Sequence, residues 1–128
     1  MIDILTVGSA ASFGEFRDEM AGRDDTHLIC VDSGAAALDR LMETPVELVV
    51  IDEALPDMSG RDLAQQVAVR CPLSGVALVS GMPPEEFHEA TEGLGVLAQL
   101  PSNPGREDAR HLLNKLSHIL QMTQTAGG

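Results

Sequence analysis

The sequence predicts an α/β fold: a doubly wound parallel sheet of five strands in the order 2-1-3-4-5, with helices on both faces. Three observations predict it. Five short runs rich in Val, Ile and Leu recur along the chain at fairly regular spacing. The segments between them carry apolar residues at the helical period. The runs themselves are nearly continuous in apolar residues rather than alternating, which is typical of strands buried on both faces of a parallel sheet.

Each strand is predicted from its own apolar run, over residues 2–7, 27–31, 47–51, 75–80 and 96–100. The first helix follows the first strand, with Phe13, Phe16 and Met20 at helical spacing on one face. The second helix is expected over residues 35–42. Parallel strands need crossover connections, and right-handed crossovers place these helices on both faces of the sheet.

Start signals mark the remaining three helices. The third begins after Ser59, whose hydroxyl suits the N-cap position. The fourth follows Pro83 and Pro84, because a proline in the first turn gives up an N–H that has no helical partner. The fifth is expected to open with Asn103 as its cap and Pro104 in its first turn.

Length and composition bound the organisation of the chain. It has 128 residues, 44% of them apolar, which suffices for one domain with one buried core. We expect residues 1–122 to form that domain and residues 123–128 to be a flexible C-terminal tail, because they are small and polar and end in two glycines. Cys30 and Cys71 do not make a disulfide framework, and the N-terminus lacks the basic region of a signal peptide. These features predict a cytoplasmic protein.

The charge of the chain excludes two classes of partner. Eight Lys and Arg against 20 Asp and Glu give a net charge of −12, so no basic face can form for nucleic acid or an anionic membrane. The chain has no Trp, no Tyr and three Phe, which leaves no stacking platform for single strands. No apolar run approaches the length of a membrane span. The sequence therefore predicts neither nucleic acid nor a membrane as a partner.

In a doubly wound sheet, ligand sites lie at the carboxyl ends of the strands, beside the switch point in strand order. The residues at those ends are Gly8 and Ser9, Asp52, Ser80, and Leu100 with Pro101. Asp52 directly follows a buried apolar strand, where a carboxylate without partners is costly. From its position alone, Asp52 either serves a functional site or caps the following loop through backbone N–H groups.

The segment from Asp52 to Gly60 resembles the phosphoacceptor loop of response-regulator receiver domains: an Asp, a Pro four residues later (Pro56), and Met-x-Gly. The resemblance extends over most of the chain and implies the flavodoxin-like form of the predicted fold. It implies that Asp52 is the phosphoacceptor and that Ser80 contacts the phosphoryl group. Pro56, Gly60 and Pro101 match the family in residue type, and the resemblance implies a cis peptide bond before the last of these. A receiver is a signalling module rather than an enzyme, and a partner histidine kinase or phosphotransfer protein supplies its phosphoryl group.

Other positions depart from the family pattern. By resemblance, two acidic residues after the first strand help to hold Mg²⁺, and a lysine after the fifth strand neutralises the transferred group. Here Gly8 and Ser9 replace the acidic pair, Leu100 replaces the lysine, and Leu97 occupies the aromatic switch position. An aspartyl phosphate would add about −1.5 to −2 charge to a chain already at −12. We therefore expect no cofactor, or at most weak Mg²⁺ binding through Asp52.

We interpret the sequence as an atypical receiver of two-component phosphorelay signalling: a pseudo-receiver with impaired phosphorylation that serves as a protein-interaction module. In the family, the fourth helix, fifth strand and fifth helix form the face that docks a histidine kinase, another signalling protein, or a second copy in a homodimer. Here that face is expected to include Glu85, Glu86, Glu89, Leu97, Gln99 and Arg110. Its acidic half suits a basic or mixed-charge partner surface.

Two alternatives stay open at the level of sequence. One is an ordinary phospho-switch, phosphorylated at Asp52 with substitute ligands such as Asp3 or Glu53 and with Arg17 or Arg61 as a substitute cation. The other is a small enzyme or cofactor carrier on the same fold. Hydrolase chemistry has no support, because the serine after the fourth strand lacks a His and an Asp in the order of a catalytic triad.

Overall fold

The computed structural model describes the backbone of residues 2–127 and, within it, the side chains of residues 2–9 and 13–119. Five parallel strands form one sheet in the order β2-β1-β3-β4-β5, which confirms the predicted fold class. The strands are β1 (Ile2–Val7), β2 (Thr26–Val31), β3 (Leu48–Ile51), β4 (Gly75–Val79) and β5 (Val96–Leu100). The helices are α1 (Ala10–Ala21), α2 (Gly34–Glu43), α3 (Gly60–Arg70), α4 (Pro84–Ala90) and α5 (Arg106–Gly127).

The strand bounds agree with the predicted ones to within a residue, but the start of α5 does not. Asn103 has a φ of 53° and makes a left-handed turn ahead of the helix, so its predicted role as the cap is wrong. Gly105 occupies the N-cap position instead, and its N–H donates to Oδ2 of Asp108 at 2.8 Å. At its other end, α5 continues as helix across residues 123–127. The flexibility predicted for that segment stays a prediction, and residue 128 lies outside the described residues.

The core has two layers, one on each side of the sheet. On β1, Ile4 faces the layer covered by α1 and α5, while Leu5 and Val7 face the layer covered by α2, α3 and α4. Phe13 and Phe16 of α1 are fully buried in the first layer, with ring centroids 5.7 Å apart. Continuous apolar strands are required by this arrangement, because both faces of the sheet are covered. No helix in the described part of the chain is long and apolar enough to cross a membrane.

The strand register brings the four strand ends together at one edge of the sheet. The last residue of β1 pairs with Ile51, and Ile51 pairs with Leu78 of β4. At the next ladder, Leu100 pairs with Val79. The register between β4 and β5 shifts by one residue near their start, which leaves Leu97 as a bulge. Gly8, Asp52, Ser80 and the end of β5 therefore lie along a single edge.

Candidate functional site

Asp52 follows β3 and is half-buried at this edge. Its backbone N–H donates to the carbonyl oxygen of Val7 at 2.9 Å, which continues the ladder between β1 and β3. Its Oδ1 accepts the backbone N–H of Glu53 at 2.8 Å. Asp52 thus caps the first N–H group of the following loop, and its other carboxylate oxygen faces Gly8.

Gly8 is buried against Asp52 and has no space for a side chain. Its φ of 149° lies in the range that favours glycine. A Cβ on Gly8 would lie 2.7 Å from Cε2 of Phe13, 2.8 Å from Cβ of Asp52 and 3.1 Å from its Oδ2. Carbon atoms in ordinary contact lie roughly 3.5–4.0 Å apart. The Phe13 ring and Asp52 itself therefore fill the space that a side chain at the end of β1 would need.

The residues at the end of β1 do not fit Mg²⁺ as an acidic pair would. Ser9 is exposed and offers a hydroxyl in place of a carboxylate. Within the part of the chain whose side chains are described, no three His, Cys, Asp or Glu side chains are grouped to hold a metal ion. The carboxylates that directly follow strands at this edge are Asp32 after β2 and Asp52, with Glu53 next to it, after β3.

Asp3 cannot serve as a substitute ligand, which corrects that expectation. It lies near the start of β1, where its Oδ1 is 3.1 Å from Nδ1 of His27 on β2. Five residue steps along the extended chain separate it from Gly8, a distance of roughly 16 Å at the usual rise per residue. Parallel strands place their starts and ends at opposite edges, so Asp3 is held at the wrong edge of the sheet.

Ser80 lies at the end of β4 and is 8% exposed. Its N–H donates to the carbonyl oxygen of Leu100 at 3.0 Å, and its Oγ accepts the N–H of Met82 at 3.1 Å. The amide of Gln99 on β5 donates to the carbonyl oxygens of Ser80 at 3.1 Å and Met82 at 2.8 Å. A side chain of β5 thus fastens the loop between β4 and α4. The sequence placed Gln99 on the docking face but gave no signal of this contact.

The end of β5 is apolar. Leu100 is 4% exposed and packs in the core layer of α1 and α5, so it contributes no charge to the site. Leu97 packs against the same layer, with Cδ2 3.6 Å from the position of a Cβ on Gly75, at the opposite end of β4 from Ser80. Pro101 is exposed. No cis peptide bond occurs in the described chain, so the cis bond expected before Pro101 is wrong.

The loop after Asp52 is held by contacts with α2 and β3. Asp57 accepts the backbone N–H groups of Gly34 and Ala35, each at 2.9 Å. These two N–H groups, that of Gly34 first, hold the pKa of Asp57 below its ordinary value. At the end of the loop, a Cβ on Gly60 would collide with the carbonyl oxygen of Asp52. Pro56 is exposed in this loop. The sequence motif indicated the loop but not the clamp by Asp57.

The two candidate substitute cations have different surroundings. Arg17 is committed to β1: its Nε donates to Oγ1 of Thr6 and its Nη2 to the carbonyl oxygen of Gly8, both at 2.9 Å. Its guanidinium also lies 5.5 Å from the centroid of the Phe13 ring. Arg61, early in α3, is exposed and makes no hydrogen bond or ion pair with a described residue.

A cavity of about 330 Å³ lies between α3 and α4, and we term it the α3–α4 cavity. Its lining includes Glu53, Arg61, Asp62, Ser80, Phe87 and Ala90. It adjoins the strand-end site, because Glu53 and Ser80 belong to both. Nothing in the sequence pattern predicted it, since its walls come from three separate elements.

The face of α4, β5 and α5 differs from the expected one at Arg110. Nε of Arg110 lies 3.5 Å from Oε2 of Glu19 on α1, so this side chain belongs to the α1 side of α5, a correction to its expected place. Lys115 points the other way, and its Nζ donates to the carbonyl oxygen of the bulged Leu97 at 2.6 Å. The three glutamates of α4, Glu85, Glu86 and Glu89, are exposed.

Solved structures of response-regulator receiver domains share this architecture. The signal receiver domain of an HD domain-containing protein from Pseudomonas fluorescens Pf-5 superposes with a TM-score of 0.79 at 20% identity, covering 96% of this chain and 92% of that one. A CheY-like receiver domain protein from Methanospirillum hungatei JF-1 gives 0.79 at 19% identity, covering 98% of each chain. A receiver domain protein from Clostridium thermocellum superposes with a TM-score of 0.77 at 15% identity, covering 95% of this chain and 99% of that one.

Comparison of the sequence with protein-family models and with curated proteins found no match. The likeness therefore lies in the backbone, at sequence identities of 14–20% in the solved structures. The strand order and the five helices are the architecture that is shared. The chain thus has the flavodoxin-like fold of response-regulator receiver domains.

Proposed function

We propose that the chain is a receiver-like domain of two-component signalling that acts by protein contact, with phosphorylation of Asp52 impaired. The packing of Gly8 and Phe13 against Asp52 is the observation that carries this proposal. Phosphoryl transfer to a carboxylate depends on cations that neutralise the incoming charge. A side chain that could bring a metal ion has no room at Gly8, and Ser9 supplies no charge.

The other strand ends support the same proposal. Leu100 is buried in the core where a lysine would be needed, and Arg17 is already bonded to Thr6 and Gly8. We accordingly propose that the protein uses no cofactor and has no enzymatic activity, and that it is located in the cytoplasm, as the sequence predicts. An added aspartyl phosphate would make the chain still more negative than its present net charge of −12.

In this proposal the face of α4, β5 and α5 is the contact surface. The bonds from Gln99 to the β4–α4 loop and from Lys115 to the Leu97 bulge support a face that keeps its conformation without a phosphoryl group. The exposed glutamates of α4 favour a basic surface on the partner, which is a histidine kinase or another signalling protein. A homodimer through the same face is the remaining form of this proposal.

The experiment is an intact-mass measurement after incubation with Mg²⁺ and acetyl phosphate. In a phosphorylated receiver, the carboxylate forms a bond to phosphorus as acetate leaves. We expect no mass gain here, while a receiver domain with both acidic residues and the lysine gains one phosphoryl group under the same conditions. A stable mass gain that disappears in Asp52→Ala would contradict the proposal.

A second candidate, the phospho-switch, is favoured by one observation. Arg61 has no partner among the described residues and lines the α3–α4 cavity together with Glu53 and Ser80. As a substitute cation, it would make labelling of Asp52 depend on its charge. If labelling occurs, Arg61→Gln should abolish it, while Arg70→Gln should not. Arg70 is the matched control because it is exposed in the last turn of the same helix.

A further inference from the structure

The α3–α4 cavity combines an apolar floor with a mixed rim. Leu78, Phe87 and Ala90 form its floor, and Phe87 is 7% exposed. Its volume of about 330 Å³ lies at the small end of ligand pockets, which span roughly 300–1,000 Å³. A space of this size suits one bulky apolar side chain. Met82 lines it and is 39% exposed, and methionine adapts its shape readily to a contact.

The charges around the cavity favour a cationic occupant. Two carboxylates, those of Glu53 and Asp62, line it against the single guanidinium of Arg61. The first turn of α4, directly after Met82 and Pro83, adds Glu85 and Glu86. The carboxylates of this surface outnumber its one guanidinium, so the same surface of a second copy is repelled. A basic segment from another protein is attracted instead.

We propose that the α3–α4 cavity docks a basic segment of a partner protein, with one aromatic or long aliphatic side chain inserted between α3 and α4. Lysines or arginines beside this anchor pair with Glu53 and Asp62. These pairs are exposed, so each contributes little and salt screens it. The anchor supplies most of the affinity, as buried apolar side chains do at protein interfaces. This surface shares α4 with the face of α4, β5 and α5 but lies on the side of α4 toward α3, and it requires no phosphorylation.

Three short peptides test the proposal on the full chain. The probe is acetylated, amidated Lys-Lys-Phe-Lys-Lys, and the comparison peptides are Glu-Glu-Phe-Glu-Glu and Lys-Lys-Gly-Lys-Lys. Binding is followed by NMR chemical shifts of Phe87 and Ala90 as peptide is added. We expect the probe to shift these signals and added salt to weaken its binding. Removal of the anchor should weaken binding about tenfold or more, and the acidic peptide should not bind the cavity.

Substitutions in the cavity sharpen the test. Ala90→Leu fills the floor and should abolish binding of the probe, whereas Ala35→Leu makes the same change on an exposed site of α2 and should leave binding unchanged. Arg61→Gln removes the one cation of the lining. For a cationic occupant it should tighten binding about two- to fivefold, and for an anionic occupant it should weaken it.

Each outcome supports or contradicts a specific part of the proposal. Equal binding of the acidic peptide, or weaker probe binding in Arg61→Gln, would overturn the proposal by identifying an anion site. Equal binding of the glycine peptide, or unchanged binding in a folded Ala90→Leu variant, would overturn the insertion of an anchor. If Ala90→Leu does not fold, the peptide series and Arg61→Gln still decide. None of these readouts depends on whether Asp52 is phosphorylated.

Discussion

The carboxylate of Asp57 accepts the backbone N–H of Gly34 at 2.9 Å, and this hydrogen bond joins the loop after β3 to the first turn of α2. Its second oxygen accepts the N–H of Ala35, and Oγ of Ser33 accepts the N–H of Ala36 at 3.2 Å. The first N–H groups of a helix have no partner within the helix. The loop and α2 therefore stabilise each other, although they are distant in sequence.

We expect Asp57→Ala to lower the melting temperature at neutral pH and to have little effect in acid. The N–H groups of Gly34 and Ala35 hold the pKa of Asp57 below its ordinary value. A depressed pKa contributes stability that is present above the unfolded-state value of about 3.9 and is lost as the pH falls through the folded-state value. Thermal unfolding of wild type and variant from about pH 7 to about pH 2.5 measures this.

The control for Asp57 is Asp39→Ala. Asp39 is exposed on α2 and makes no hydrogen bond or ion pair with a described residue, so its removal should change the melting temperature little at any pH. A difference between wild type and Asp57→Ala that stays constant down to the lowest pH would show that the carboxylate charge is irrelevant to the clamp.

Gly60→Ala should destabilise the protein by about 1–3 kcal/mol, because the added methyl group collides with the carbonyl oxygen of Asp52 and with Cδ1 of Leu78. Gly14→Ala is the matched control. Gly14 lies in α1 with nothing near its Cβ position, and the same change there should stabilise by about 0.5–1 kcal/mol. Urea unfolding of both variants measures whether each change lowers or raises the free energy of unfolding. Equal effects would contradict the close approach of α3 to Asp52.

Gln99→Leu should loosen the β4–α4 loop while lowering global stability by about 1 kcal/mol, the usual net value of such hydrogen bonds. The amide of Gln99 bonds both Ser80 and Met82. Hydrogen exchange at the Met82 amide should become faster, because its partner Ser80 is no longer held in place. Gln65→Leu, on the exposed side of α3, is the control and should leave that exchange rate unchanged. Unchanged exchange in Gln99→Leu would contradict the fastening role.

The fold could be predicted from the sequence because its signals are local. Five continuous apolar runs and the helical spacing between them fix the layers, and chirality then restricts the connections. The start of α5 was harder to predict from the sequence, because an asparagine such as Asn103 is equally suited to cap a helix and to form a left-handed turn. Arg110 could not be assigned to a face, because its partner Glu19 lies on a helix far away in sequence.

The site shows a similar division between local and distant signals. The strand order predicted which residues meet at the strand ends, because parallel strands share one edge, and the motif from Asp52 to Gly60 predicted the loop after β3. It did not predict what fills the space between them. The ring of Phe13, the amide of Gln99 and the clamp by Asp57 depend on contacts that appear only when separate elements pack together.

Gly8→Asp restores an acidic residue at the end of β1, yet it should destabilise the protein and yield no labelling by acetyl phosphate. Its Cβ would crowd Phe13 and Asp52, the backbone has a φ of 149°, and two carboxylates would face each other. A strained backbone conformation and an overpacked core each cost about 1–3 kcal/mol of stability. Urea unfolding and intact mass are the measurements.

Gly81→Asp is the control for this change, because Gly81 lies beside Ser80 with nothing near its Cβ position and without a positive φ. It should lower the free energy of unfolding far less. Phe13→Leu combined with Gly8→Asp should destabilise by less than the sum of the two single changes, since it removes one of the two crowded neighbours but not the backbone strain. A Gly8→Asp variant that is as stable as wild type and accepts a phosphoryl group would show that the contact between Gly8, Phe13 and Asp52 does not close this side of the site.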